Sequence, residues 1–436
     1  MTLSSQVKGG RLPWSGLLAL SCAAFTAVLT ELLPAGLLPA MAAPLGVAES
    51  RIGFLVTAYA AASFVAAVPV TAALRSLPRR PVLCGALLGF AVSNALVALS
   101  SSYPLTVAAR LLAGAMGGTL WAMLAGYAAR MVPAERRGRA IAVVLAGITL
   151  ALALGVPAGT ALAQLVGWRA AFGTLALLAV LLVGWVRLRV PGLPGEPPHA
   201  RVPLVRVAVR PGVRPVLCVT LFLLVGHQVM YTYVGPFGAH AGYGRTGVLL
   251  AVFGIATVGG IWLTGVLIDR FPRRTLLVAL ALVAGVLPAM GLGAGAHGLL
   301  VGAVGLWGVA FGGAPTLIQT ALVDASGPAD ADVATSLQTT VYNAGIAAGS
   351  LIGGLALDAL GAGALPWTAF PPVLLALVTV AAGRRHAFPA GRRAVAREAR
   401  RAVAPGARSV AEAGAVAVTC RAGDHEVRRW ADDAGR

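Results

Sequence analysis

Twelve apolar runs of about 20 residues or more follow one another along the chain, separated by short polar stretches in which arginine predominates. They fall at 13–43, 52–74, 81–100, 104–130, 138–165, 168–188, 215–238, 246–268, 274–294, 297–323, 333–360 and 366–383. About 20 helical residues cross a ~30 Å hydrocarbon core. Lipid offers no partner for backbone N–H and C=O groups, so each run predicts a helix. Prolines inside the runs, such as Pro34, Pro39, Pro69 and Pro157, are compatible with this where neighbouring helices satisfy the freed groups.

The basic residues give an orientation. Odd-numbered loops carry only Arg51, Arg169 and Arg245, while 30 of the 34 basic residues lie in the even-numbered loops and the two ends. Arg110 alone lies well inside a run. The positive-inside rule then predicts two cytoplasmic termini, which needs an even number of spans. Residues 1–188 form the expected first half and 215–384 the second. Between them, 189–214 is rich in Pro, Gly and Arg and reads as a cytoplasmic linker. Residues 385–436 form a basic, Ala-rich tail, expected to be poorly ordered and to touch lipid headgroups.

Composition narrows the class further. Hydrophobic residues make up 58% of the 436 and charged ones 11%, against roughly 25% charged in soluble domains. Mean hydropathy is +0.84. The net charge of +19 does not point to nucleic acid, because no soluble domain with a basic face can be cut from the chain. The four cysteines (Cys22, Cys84, Cys218 and Cys420) have no CxxC spacing and read as reduced, with no metal site. The first run lacks a small-residue cleavage site and reads as a first span rather than a removable signal. No GxSxG, HExxH or phosphate-binding loop is present, so neither an enzyme nor ATP drive is expected, and no cofactor.

The halves repeat. Adding 194 to a residue number in the first half lands on its counterpart: Leu77-Pro78-Arg79-Arg80 on Phe271-Pro272-Arg273-Arg274, Gly114 and Gly118 on Gly308 and Gly312, Gly155 and Gly159 on Gly349 and Gly353. Duplicated halves with a midplane site between them are the usual architecture of secondary transporters. The expected fold class is an all-α membrane protein: twelve transmembrane helices in two pseudo-symmetric six-helix bundles.

Several motifs carry a resemblance. Gly265-Val266-Leu267-Ile268-Asp269-Arg270-Phe271-Pro272-Arg273-Arg274 is similar to the G-x-L-x-D-R-x-x-R-[RK] loop signature of the major facilitator superfamily. Arg110-Leu111-Leu112-Ala113-Gly114 resembles its R-x-x-x-G motif. Gly147 with Gly155-Val156-Pro157-Ala158-Gly159 resembles the antiporter motif of its twelve-span drug:proton exporters, with Val156 inserted and Thr160 in place of Gly. Glu31-Leu32-Leu33-Pro34 with Pro39 resembles an acid-and-proline pattern of several drug exporters. The resemblance covers about residues 12–384. It implies the major facilitator fold and export, driven by the proton gradient, of drug- or antibiotic-like compounds across the cell membrane.

Few charged residues lie well inside spans. Glu31 is the only acid well within one. A carboxylate there faces a partner or a watery cavity and is a functional candidate by default; a proton carrier and a neutral packing glutamate are the competing readings. Arg110 lies roughly 9 Å into the fourth span at 1.5 Å per residue, at a depth that permits pairing with Glu31, unless it snorkels to the interface. His227, Gln228, Tyr231 and Tyr233 cluster in the seventh span, His227 at the repeat position of Leu33. They are expected to line a substrate cavity, with Asn94, Gln319, Gln338, Tyr342 and Asn343 as further candidates. Gly147, Gly155, Pro157, Gly159, Gly349 and Gly353 put small residues at helix-packing spacing.

The charges of the even loops invert between halves: Arg75 against Asp269, Arg130 against Asp324, Arg136 against Asp330. In the family fold this implies two clusters, Arg75 with Asp330 and Asp332, and Asp269 with Arg136 and Arg130, flanked by Arg270. Together they form a cytoplasmic latch. The reading is therefore a monomeric proton-coupled exporter of small amphipathic molecules. A sugar or amino-acid exporter of the same fold, or a sensor signalling through the tail, remains an alternative, and deleting residues beyond 384 discriminates the sensor.

Overall fold

The computed structural model describes residues 12–74, 76–195, 207–210, 212–293, 295–327, 330–383 and 387–388, except for the side chains at 67, 68, 71, 72, 134 and 332. Among the described residues, twelve long helices carry the fold: α1 Trp14–Leu32, α2 Glu49–Leu74, α3 Arg79–Leu99, α4 Tyr103–Arg130, α5 Arg137–Val166, α6 Trp168–Arg189, α7 Val213–Thr232, α8 Thr246–Leu267, α9 Pro272–Leu292, α10 His297–Ser326, α11 Ala331–Leu360 and α12 Leu365–Ala382. Among the described residues, eleven helices are long and apolar enough to cross a membrane; α2, with 26 residues, is also long enough. Large side chains such as Leu99, Leu165, Leu188, Trp262 and Leu292 stand almost fully exposed. Water does not support such an apolar surface, and lipid does. The chain is a multi-pass membrane protein.

The two halves pack alike. In the first, α2 lies on α4, α3 on α6, and α1 on both α5 and α6; in the second, α8 lies on α10, α9 on α12, and α7 on both α11 and α12. The offset of 194 holds at single contacts. A Cβ at Gly114 would strike the carbonyl of Tyr59, and one at Gly308 would strike the carbonyl of Phe253. Gly147, Gly155 and Gly159 bring α5 against Ser21 and Leu29 of α1 and Leu33 just beyond it, as Gly349 and Gly353 bring α11 against Val225 and Val229 of α7. Small residues let these backbones meet where lipid supplies no hydrophobic drive.

Proline shapes the two central helices. Pro34 has no N–H for the Thr30 carbonyl, and α1 passes there into a 3-10 turn, Leu33–Gly36, before a short helix Leu38–Leu45. α7 likewise breaks at Tyr233 and continues as Val234–His240. α5 is interrupted by a π-helical turn, Ala151–Gly155, a feature common at functional sites.

The halves meet through α2 on α11 and α5 on α8, towards the end of the bundle away from the chain termini. There Thr57 donates to the Ala347 carbonyl at 3.3 Å. The Tyr233 ring fits between Gly53 of α2 and Gly353 and Gly354 of α11, its hydroxyl donating to the Ser350 carbonyl at 2.9 Å. Gly254 of α8 sits against Leu152 and Ala153 in the π turn. All of these lie in the distal portions of their helices, so the conformation is closed at the distal end.

At the other end, arginines cap the helices that lead into and out of the halves. Arg80 reaches the Arg187 and Val190 carbonyls at the end of α6, and Arg273 donates to Val380 and Ala381 at the end of α12. Guanidinium donors suit orphan carbonyls at a helix C-terminus. Tyr127 holds the start of the linker through the Pro191 carbonyl at 2.6 Å.

Candidate functional site

Glu31 and Arg110 are brought together in the first half, 7% and 1% exposed. The bonds differ from a simple ion pair. Arg110 Nη1 donates to the Thr30 carbonyl, Nη2 to the Glu31 main-chain carbonyl at 2.8 Å, and Nε to the Leu55 carbonyl of α2 at 3.2 Å. Thr30 is the residue whose carbonyl Pro34 leaves without a helical donor, so the guanidinium completes a break that the proline creates. Five rigid donors allow one side chain to join α1, α2 and α4. The Glu31 carboxylate takes none of these three bonds. It faces the Arg110 charge through space, and the Tyr342 hydroxyl of α11 lies within electrostatic range of it. Snorkelling of Arg110 to the interface is thereby excluded.

Tyr59 completes this site. Its ring lies under the Arg110 guanidinium, 4.8 Å from centre to carbon. Gly117 of α4 leaves the room that its hydroxyl occupies. Tyr59 does not stand out in the sequence, although the repeat offset places it opposite Phe253. Asn94 serves from behind: its side chain donates to Thr30 Oγ1 at 3.0 Å and to the Phe90 carbonyl, which ties α3 to α1 rather than lining a cavity.

The second half holds an aromatic cluster. His227 stacks on Phe311 with ring centres 3.6 Å apart and planes 7° apart, and packs against Tyr231, Phe253 and Trp307 at 5.2–5.6 Å. α7, α8 and α10 each contribute. Phe253, Trp307 and Phe311 escaped the sequence reading because an aromatic ring in an apolar run looks like any other packing residue.

The other candidates divide. Gln228 donates to Thr232 Oγ1 at 2.9 Å, which meets Ser350 of α11, so it is spent on packing α7 against α11. Tyr233 is a seam residue and not a cavity residue, as its glycine contacts show. Gln338 and Asn343 are buried on α11, Asn343 donating to the Thr339 carbonyl, and Tyr342 is half-buried. Gln319 is exposed on α10. A distal groove of about 700 Å³ between the end of α5 and the start of α8, lined by Pro157, Gln164, Arg245 and Val248, contains none of the central polar candidates.

Of the latch residues, Arg75 and the Asp332 side chain lie outside the described residues. Asp330 is paired, but with Arg210 at the end of the linker, which also donates to the Ser326 carbonyl at 2.7 Å. Arg130, Asp269, Arg270 and Asp324 are exposed and Arg136 is half-buried.

The profile of the Major Facilitator Superfamily matches residues 20–350 and again 240–420. The purine ribonucleoside efflux pump NepI of Escherichia coli K12 is 30% identical over 355 residues, covering 80% of this chain and 88% of the pump; its counterpart from Shigella flexneri matches equally. Among solved structures, a D-xylose-proton symporter superposes with a TM-score of 0.71 at 15% identity over 87% of this chain and 98% of its own. The human organic anion transporter MFSD10 (TETRAN) gives 0.62 at 18% identity, over 85% and 98%. With its repeated six-helix halves, its buried charge between α1 and α4 and these matches, the chain belongs to the Major Facilitator Superfamily, as a transporter of small molecules.

Proposed function

We propose that this protein exports small amphipathic compounds in exchange for protons, by alternating access, from a cell membrane in which both termini are cytoplasmic. The observation that carries the reading is the Glu31 carboxylate, buried at the centre of the fold beside a guanidinium whose hydrogen bonds go to main-chain carbonyls. Such a carboxylate can lose and regain a proton while Arg110 keeps its place. The Tyr342 hydroxyl, from the opposite half, gives the proton site a sensor of the gap between halves. Export of purine ribonucleosides is the first activity to assay, because that is what a 30% identical relative is named for; drug-like cations and neutral amphiphiles come next.

The latch belongs to the same cycle. With the distal end closed, Asp330 is held by Arg210. In the opposite conformation it exchanges to Arg75, and the terminus-bearing end shuts.

Reconstituted vesicles with an imposed pH gradient test the coupling. Glu31→Gln is expected to insert and fold, to lose gradient-driven movement of substrate, and to keep substrate-for-substrate exchange, since a permanently neutral side chain mimics only the protonated state. Gradient-driven transport at the wild-type rate in this variant would remove Glu31 from the mechanism.

A further inference from the structure

The repeat relates two unlike sites. Tyr59 and Phe253 occupy equivalent positions, and Ala113 and Gly117 of α4 correspond to Trp307 and Phe311 of α10. In the first half, the small residues of α4 leave room for the Tyr59 hydroxyl beside Arg110. In the second, the same volume is filled by two large rings and the His227 imidazole. One half is built around charge and the other around flat apolar faces.

Three details of the second site point to a ligand. The His227–Phe311 pair is a full face-to-face stack, 3.6 Å between centres, whereas protein aromatic pairs favour offset or edge-to-face contacts with centres farther apart. His227 Nδ1, on a side chain 6% exposed, has no hydrogen-bond partner. Trp307 Nε1, on a side chain 1% exposed and packed against His227, has none either. Buried polar groups are ordinarily satisfied, so two orphans facing one ring cluster mark a place where partners arrive. The 3-10 turn Leu33–Gly36, two residues beyond Glu31, packs on both α7 and α8, the helices that carry His227, Tyr231 and Phe253.

We infer that the cluster of His227, Tyr231, Phe253, Trp307 and Phe311 is the subsite for a planar nitrogen heterocycle of nucleobase type. The imidazole of His227 is the stand-in that the ligand ring displaces from Phe311. A flat ring takes the 3.6 Å stacking place, an acceptor on its edge receives the Trp307 N–H, and the displaced His227 bonds a second edge atom through Nδ1. Stacking is tolerant of base identity, because each base has a π-face; the indole N–H, a donor only, selects rings that carry an acceptor. The inference rests on the export reading for its physiological meaning, but binding of the ring does not depend on proton coupling.

The test uses the full-length protein in lipid nanodiscs, with hypoxanthine, inosine and ribose as probes and calorimetric titration as readout. Wild type is expected to bind hypoxanthine and inosine and not ribose. Phe311→Leu, which removes the flat face at similar bulk, should weaken both purines about tenfold or more. Trp307→Phe keeps the ring and removes the N–H, and should weaken them about fivefold. It carries the test alone where Phe311→Leu fails to give a monodisperse protein. The proposal is overturned if wild type, shown competent by gradient-driven transport of any other compound, binds neither purine. It is also overturned if the variants leave purine affinity unchanged, or weaken purines and a non-aromatic transported compound alike. If no compound moves with the pH gradient while hypoxanthine binds with the expected sensitivity to Phe311, export is refuted and the subsite stands.

Discussion

Arg110 shows how one side chain is specified by its neighbours' backbone. Pro34 removes a donor, α1 turns into a 3-10 geometry, and the carbonyls of Thr30 and Glu31 accept from the guanidinium, with Leu55 drawn in from α2. The two site residues should therefore separate in a stability measurement. Arg110→Ala leaves up to three carbonyls without a donor, at about 1–3 kcal/mol for each that stays unsatisfied. Arg110→Lys recovers little, since one ammonium cannot span carbonyls on two helices. Glu31→Gln leaves all three bonds intact. Thermal unfolding in detergent is expected to rank wild type and Glu31→Gln together, with both Arg110 variants well below. A Glu31→Gln protein as unstable as Arg110→Ala would mean that the carboxylate is what holds the guanidinium. At this scale the sequence showed the two charges because ionised groups are rare in apolar spans. It could not show that the arginine answers main-chain carbonyls, because that depends on where a proline on another helix frees them. Tyr59, Phe253, Trp307 and Phe311 were hidden for the converse reason: rings are ordinary in such spans, and only packing makes them a site.

At the level of helices, the seam between halves is made by glycine. Gly53 admits the Tyr233 ring, Gly354 lies opposite, and Gly254 lets α8 close on the π turn of α5. The positions of the twelve helices were legible from apolar run length, and the helix-packing glycines from their spacing. The π turn was not: Pro157, two residues beyond it, removes the donor for the Ala153 carbonyl, but a proline in an apolar run does not say which distorted geometry will accommodate it. The contact at Gly53 gives a definite expectation. A Cβ there meets the Tyr233 ring, which is fixed between glycines and by its bond to Ser350, so closure of the distal end is penalised while the open conformation is untouched. A ligand-free shift of about 1.4 kcal/mol changes the ratio of the two conformations tenfold. In a cysteine-free background, Ser50→Cys reports this, since Ser50 is buried beside Gly354 in the closed seam. Adding Gly53→Ala should raise its labelling rate by a membrane-impermeant thiol reagent about tenfold. Adding Gly85→Ala, where a Cβ meets nothing, should leave it unchanged. Equal rates in all three proteins would show that Gly53 does not govern closure.

For the molecule as a whole, closure at one end must be balanced by closure at the other, because a transporter open at both ends leaks and one closed at both is idle. The distal end is closed here by uncharged contacts of glycine, tyrosine and main chain. The terminus-bearing end is rich in charge, and there the latch carboxylate Asp330 is held by Arg210 of the linker. In the proposed cycle the two conformations have different partners for the same carboxylate. A single exposed pair contributes about 0.2–1 kcal/mol, so the exchange sets a balance between states rather than locking either. Its consequences have opposite signs. Arg210→Ala removes the partner seen with the distal end closed and should shift the protein toward the conformation closed at the terminus-bearing end. Arg75→Asp removes the alternative partner, should shift it the other way, and should impair transport. Adding Asp330→Arg to Arg75→Asp restores an opposite-charge pair there and should recover a substantial part of the lost transport. Spin labels at Ser76 and Ser336, both exposed near that end, read the shift directly as a change in the short-distance fraction of a pulsed-EPR distribution. Movement of Arg210→Ala and Arg75→Asp in the same direction, or a double charge swap no better than the single one, would mean that these charges are independent of the conformational cycle.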